Sequence, residues 1–118
     1  MVTEDTLKNH SLDGIELLEY VIEKQKQKII ELSHSVGSLK DSYTQKVEAE
    51  YRDSHPASLS NADKRRYEVT QRLEADLKYI EMREAIEAIR VQLTYDDIHV
   101  RALKRGFITK YGPLQMAI

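Results

Sequence analysis

The chain contains no cysteine, and this absence excludes disulfide bonds, thiolate metal sites and a cysteine nucleophile. Tryptophan is also absent, and the 118 residues include only four glycines and two prolines. So few turn-forming residues disfavour a sandwich or a barrel and favour long helices. No apolar run approaches the roughly 20 residues that cross a bilayer, and the acidic, polar start predicts no secretory signal. We therefore expect a soluble, cytoplasmic protein with no membrane partner.

The composition of the chain is typical of helices that face solvent. Charged residues make up 32% and hydrophobic residues 41% of the chain, and the net charge of −2 by itself predicts no highly charged partner. The length suits one domain and leaves no room for a second core. We expect a single helical domain over residues 1–118.

A heptad pattern begins in the first third of the chain and predicts a helix over about residues 13–54. Asp13 and Glu16 have the spacing of a capping box at its start. Eight of the nine heptad positions are apolar or aromatic, which is typical of a coiled coil. The predicted helix has one stretch of low helix propensity, where Gly37 lies among serines. The nine heptad positions are Ile15, Leu18, Ile22, Gln25, Ile29, Leu32, Val36, Leu39 and Tyr43.

The segment DSHPASLSNAD predicts a turn over residues 55–60, because Pro56 disfavours helical angles at the residue before it. A second helix is expected over about residues 61–105, with Ser60 as its N-cap. Thr94 is the one weak point of that predicted helix, where a short last helix would separate. Gly106 is the expected C-terminal cap, and residues 106–118 are predicted to form a non-helical tail.

The second predicted helix carries two apolar stripes, and one partner helix can cover only one of them. The first stripe comprises Val69, Leu73, Leu77, Ile80, Val91, Tyr95 and Ile98, and we expect it to face the first helix. The second stripe would then form an oligomer or partner interface. The residues predicted for that interface are Tyr79, Met82, Ile86, Ile89, Leu93, Val100, Leu103 and Phe107.

These patterns predict an all-α protein built as a long antiparallel helical hairpin, a two-helix coiled coil. Two such hairpins, most simply a homodimer, are expected to associate into a four-helix bundle that covers the second stripe. A pairing centred on the turn places Gln25 near Arg90 and Lys28 near Glu87. Together with Glu84, these residues are interpreted as a polar layer that sets the register.

The candidate metal ligands do not converge in this scheme. Glu31 and His34 have the spacing of a helical metal half-site, and Asp96 and His99 repeat it on the second helix. The heptad turns the first pair outward, and the antiparallel pairing separates the two pairs along the helices. We therefore predict no metal, no cofactor and no catalytic residue, and a metal-dependent oxidase remains a distant alternative.

The C-terminal end is basic, since no acid follows Asp97 in the sequence. The sequence predicts a non-enzymatic scaffold or adaptor that self-associates and presents its termini to an unidentified protein partner. The alternative is a small nucleic-acid-binding or mobile-element regulatory protein that uses this basic end. Its possible contact residues are Arg101, Lys104, Arg105, Lys110 and Tyr111.

Overall fold

The computed structural model describes residues 3–112, and this part of the chain is all-α, as the sequence predicts. In chain order the elements are helix α1 (Glu4–Ser54), a 3-10 turn (Ala57–Leu59), helix α2 (Ala62–Glu74) and helix α3 (Leu77–Tyr111). Residues 3–112 contain no β-strand, and none of their helices is long and apolar enough to span a membrane. Residues 113–118 of the predicted tail lie outside the described part.

Helix α1 begins at Glu4, so the predicted start near residue 13 is wrong. Thr3 provides the cap, because its Oγ1 accepts a hydrogen bond from the Thr6 amide at 3.2 Å. Glu4 and Asp5 then place negative charge in the first turn, where the helix dipole favours it. The helix continues through Gly37 without interruption and ends at Ser54, as predicted.

The turn that follows α1 holds one residue in the left-handed region. His55 has a φ of 47° and donates its amide to the Tyr51 carbonyl at 2.9 Å, and Pro56 then directs the chain out of the helix. The N-cap of α2 is Asn61, not Ser60, because the Asn61 Oδ1 accepts the Lys64 amide at 2.8 Å. The turn itself is where the sequence predicts it.

The predicted single helix over residues 61–105 is wrong, because it is interrupted at Ala75 and Asp76. The Asp76 amide donates to the Leu73 carbonyl at 3.0 Å, which closes α2 with a tighter turn. The Asp76 Oδ1 then accepts the amides of Lys78 at 2.8 Å and Tyr79 at 3.3 Å, as an N-cap does. Its Oδ2 accepts the hydroxyl of Tyr43 from α1. Asp76 therefore starts a new helix where no glycine or proline forces one.

The end of α3 also differs from the prediction. The helix passes through Thr94 and through Gly106, the predicted cap, and ends at Tyr111. Phe107, the residue after the predicted cap, is buried and lies within the helix. Gly112 has a φ of 88° and donates its amide to the Ile108 carbonyl at 2.9 Å, so it is the C-terminal cap. Residues 106–111 are therefore helical and not part of a tail.

The chain divides into two compact units, Met1–Lys28 with Ile89–Ile118, and Ile29–Ala88. In the first unit, α1 and α3 run antiparallel, because Glu19 meets Lys104 at 3.3 Å and the later residue Gln25 meets the earlier residue Asp96 at 2.7 Å. The buried core of this unit consists of Ile15, Ile22, Val100 and Phe107, with Leu12, Leu18, Leu93 and Tyr111 packed against it.

In the second unit, α1 packs against the 3-10 turn and α2. Its buried core consists of Val47, Leu59, Val69 and Leu73, and Leu39, Tyr43, Tyr51 and Tyr79 pack against it. Arg65 closes one side, since it donates to Glu48 at 3.1 Å and to the Leu59 carbonyl at 3.0 Å. Arg72 donates two hydrogen bonds to Glu50, at 3.0 and 2.6 Å.

Replacing Asp76 tests whether its carboxylate determines the interruption. Asp76→Ala removes the cap of α3 and the acceptor for Tyr43, so we expect the Tm to fall by roughly 5 °C. Thermal unfolding followed by circular dichroism measures this change. Asp41→Ala, at an exposed position of α1, is the matched control and should leave the Tm unchanged. Equal Tm values for both variants would contradict the assigned role of Asp76.

Candidate functional site

The stripe predicted as the oligomer interface lies largely inside the chain. Val100 and Phe107 belong to the core of the first unit, and Leu93 packs against that core. Ile86 is buried, Met82 and Ile89 are half-buried, and Tyr79 packs against the core of the second unit. Of the eight predicted interface residues, Leu103 alone is exposed. The other seven predicted interface residues are buried or half-buried within the chain.

The interruption at Asp76 explains why the roles of the two stripes are exchanged. An unbroken helix would keep Leu73 and Leu77 on one face, since they are four residues apart. In the structure Leu73 is buried at 4% exposure, whereas Leu77 is 68% exposed and the next residue packed against that core is Tyr79. The stripe that was expected to face α1 is therefore outward along α3.

We call this outward stripe the outer face of α3. Its apolar members recur at helical spacing and are all exposed, with fractions of 49% for Val91, 66% for Tyr95 and 56% for Ile98. The exposed apolar residues of the outer face are Leu77, Ile80, Val91, Tyr95, Ile98 and Ile108.

Helix α1 carries a smaller exposed apolar group in the first unit. Leu17, Tyr20 and Val21 are exposed, and the Lys24 ammonium lies 5.3 Å from the centroid of the Tyr20 ring. A shallow depression next to them is lined by Tyr20, Val21, Lys24, Gln25, Lys28 and Ile89. It is open and offers no enclosed volume in which a small molecule would be surrounded.

The polar layer involves a different pair from the one predicted. Gln25 donates its side-chain amide to Asp96 Oδ2 at 2.7 Å, and Gln92 donates to Asp96 Oδ1 at 3.0 Å. Gln25 is the one polar residue in the heptad of α1, and it meets the half-buried Asp96 of α3. The remaining predicted members of the layer are exposed: Lys28, Glu84, Glu87 and Arg90.

Gln25 meets Asp96 instead of Arg90 because the return through α2 changes the register. Glu48 contacts Arg65, and Tyr43 contacts Asp76. Between these two contacts the returning chain has more residues than α1, so its register relative to α1 shifts. A pairing that assumes equal numbers of residues on both sides of the turn does not predict this shift in register. The Oε1 atom of Gln25 is buried and accepts no hydrogen bond from the described residues.

The basic end of α3 has partly paired cations. Arg101 pairs with Asp97 at 3.1 Å and Lys104 with Glu19 at 3.3 Å. The Lys110 ammonium lies 5.2 Å from the centroid of the Tyr111 ring. Arg105 forms no ion pair within residues 3–112. Two of the four predicted phosphate-binding cations therefore already have carboxylate partners.

In the second unit, Tyr43 and Asp76 are electrostatically linked. The hydrogen bond to the Asp76 carboxylate raises the pKa of Tyr43, because it favours the protonated phenol. The same bond, assisted by the amides of Tyr79 and Lys78, lowers the pKa of Asp76. The hydrogen bond from Arg72 lowers the pKa of Glu50. These shifts accompany the hydrogen bonds that hold α1 against α2 and against the start of α3.

The predicted metal half-sites are not brought together. Glu31, His34 and His99 are exposed, whereas Asp96 is half-buried against Gln25. Among residues 3–112, no three His, Asp or Glu side chains are close enough to hold a metal ion. Comparison of the chain with protein-family models, with curated proteins and with solved structures finds no match.

The pH dependence of stability tests the bond between Tyr43 and Asp76. A raised tyrosine pKa contributes stability that is present below the ordinary value of 10.0 and is lost as the pH rises beyond it. A lowered carboxyl pKa contributes stability that is lost as the pH falls below the ordinary value of 3.8. We expect the wild type to have a higher Tm than Tyr43→Phe near pH 7, and the difference to shrink beyond both limits. A difference that is constant with pH would contradict the bond.

Replacing both polar exceptions tests the layer of Gln25 and Asp96. The double variant Gln25→Leu/Asp96→Leu should raise the free energy of unfolding by about 1–2 kcal/mol, because apolar residues pack better in a seam. Gln25→Leu alone should lower it, because the Asp96 carboxylate loses a hydrogen-bond donor. Urea unfolding measures both changes, and Gln27→Leu at an exposed position of α1 is the control. A stabilised single variant would contradict the pairing.

Proposed function

We propose that this chain is a non-enzymatic scaffold or adaptor that self-associates through its helices and presents its termini to protein partners. In this proposal the helices form an antiparallel hairpin, and two chains form a dimer with a four-helix bundle. The observation that carries the proposal is an excess of exposed over buried large apolar side chains in the described residues.

Within residues 3–112, nine hydrophobic residues are buried: Ile15, Ile22, Val47, Leu59, Val69, Leu73, Ile86, Val100 and Phe107. Thirteen large hydrophobic residues are exposed, and six of them form the outer face of α3. Full burial of one such side chain contributes roughly 1.5–3 kcal/mol. Nine fully buried residues form a small core for the described part of the chain, so association that covers more apolar area would add substantially to its stability.

The arrangement of the polar residues also supports a structural role. The described histidines are far apart in sequence, and the strongest ion pairs, such as Arg72 with Glu50, connect neighbouring helices. Such pairs are more useful for holding one helix against another than for binding a substrate. The small net charge of −2 means that two copies repel one another little.

Sedimentation equilibrium tests the self-association directly. We expect a mass near twice the monomer mass of 13.7 kDa, with dissociation on dilution according to mass action. The thermal midpoint should rise with protein concentration for the same reason. A monomeric mass at about 50 µM, together with a concentration-independent Tm, would contradict the proposal.

Nucleic-acid binding is the second candidate, and one observation favours it. The ammonium groups of Lys8 and Lys110 lie 6.0 and 5.2 Å from the centroid of the Tyr111 ring, so two cations flank an aromatic ring at the basic end. Cations next to aromatic rings suit the binding of single-stranded nucleic acid.

Fluorescence anisotropy with a labelled single strand should then show salt-dependent binding that Arg105→Glu/Lys110→Glu abolishes. Absence of binding at low salt would remove this candidate.

A further inference from the structure

An open groove lies between α1 and α3 in the first unit, beside the last turns of α3. Its lining includes the buried side chains of Ile15 and Phe107 and the exposed side chain of Leu103. The volume of the groove is about 410 Å³, which falls within the roughly 300–1,000 Å³ that is usual for small-ligand sites. We call this space the terminal groove. It is large enough to hold a small apolar group.

The terminal groove exists because side chains are missing on both helices. Gly14 of α1 and Ala102 and Gly106 of α3 line it. A Cβ atom added at either glycine would meet no neighbouring atom within 4 Å. Both glycines lie inside helices, in Glu4–Ser54 and in Leu77–Tyr111, so the space belongs to the packing of two regular elements and not to a turn.

One end of the terminal groove is positively charged. Lys110 and Tyr111 line this end, and the ammonium groups of Lys8 and Lys110 lie 6.0 and 5.2 Å from the centroid of the Tyr111 ring. Neither lysine forms an ion pair within the described residues. The described residues that line the groove include no Asp or Glu, although the chain contains 20 such residues. An anion at this end therefore meets two cations and no lining carboxylate.

The same end holds a buried polar atom without a partner. The Tyr111 hydroxyl is buried and forms no hydrogen bond within residues 3–112, whereas buried hydroxyls in proteins are normally hydrogen-bonded. The Tyr111 ring packs against the buried Phe107 ring, with 4.9 Å between the centroids. An acceptor atom bound at this end would give the hydroxyl a partner.

We propose that the terminal groove binds a small amphipathic monoanion, such as a carboxylate with a short alkyl chain. The apolar body lies between the two helices at Gly14 and Gly106, and the anionic head lies at Lys8 and Lys110. An alkyl body matches a lining that is mostly apolar away from this end, whereas a nucleic-acid strand needs cations along its whole path. This inference does not depend on self-association.

The glycine amides report on binding directly, and octanoate is the probe. The chain has four glycines, of which Gly14 and Gly106 line the terminal groove and Gly37 lies in the second unit. In a titration followed by ¹⁵N–¹H NMR, we expect the resonances of Gly14 and Gly106 to shift with a common Kd of roughly 1 mM or lower. The resonance of Gly37 should not move.

Filling the terminal groove tests the position of the apolar body. Gly14→Leu and Gly106→Leu should each weaken octanoate binding about 10-fold or more, because the added side chain takes the volume of the alkyl chain. Gly37→Leu is the matched control, because it makes the same change inside α1 where a Cβ also meets no neighbouring atom within 4 Å. It should leave the Kd unchanged. Circular dichroism checks that each variant remains helical.

Reversing the charge tests the position of the anionic head. Lys8→Glu/Lys110→Glu should weaken octanoate binding roughly 10-fold, whereas Lys26→Glu/Lys40→Glu makes the same change at exposed positions of α1 and should have no effect. Octylammonium, which has the same alkyl chain with a cationic head, should bind the wild type at least about 10-fold more weakly than octanoate.

Each other outcome contradicts the inference. No shift at Gly14 and Gly106 with octanoate at about 10 mM would show that the groove does not bind this class of ligand. Equal shifts at Gly37 would show adsorption to exposed apolar surface in general. Equal binding of octylammonium would remove the anionic head. A single-stranded oligonucleotide that shifts these resonances where octanoate does not would assign the end of α3 to nucleic acid instead. A monomeric or a dimeric wild type would leave each of these outcomes unchanged.

Discussion

The carboxylate of Asp76 accepts hydrogen bonds from the amides of Lys78 and Tyr79 and from the hydroxyl of Tyr43, and the phase of α3 depends on this arrangement. A helix that continued from Leu73 through these residues would turn Leu77 toward α1. The interruption instead brings Tyr79 to the core of its unit and leaves Leu77 exposed. One capping side chain therefore determines which stripe of the following helix is buried.

That choice of phase has consequences along the rest of α3. Val100 and Phe107 become core residues, and the Asp96 carboxylate accepts a hydrogen bond from the side-chain amide of Gln25. The opposite stripe, with Val91, Tyr95 and Ile98, remains outward. The buried stripe and the exposed stripe are thus two sides of the same helix.

Much of this organisation could be predicted from the sequence. The heptad of α1 was predicted residue by residue, because a 3.5-residue repeat reports directly which side of a helix is buried. The second apolar stripe of the returning helix was also predicted, but most of it packs within the chain. The break at Ala75 and Asp76 was not predicted, because it contains neither glycine nor proline. An aspartate inside a helical pattern is common, and the contact that favours the break, with Tyr43, comes from a residue distant in sequence. The Thr3 cap was missed for a local reason, since Asp13 and Glu16 offer a better-known capping pattern further along the chain.

The rate at which engineered thiols are modified at Leu73, Leu77 and Tyr79 tests the central claim most directly. The native chain has no cysteine to interfere, and dilute protein keeps intermolecular contacts from protecting the outer face. With the interruption at Asp76, Leu77→Cys should react much faster than Leu73→Cys and Tyr79→Cys. Comparable protection at Leu73→Cys and Leu77→Cys, with fast reaction at Tyr79→Cys, would show an unbroken helix and would contradict the account.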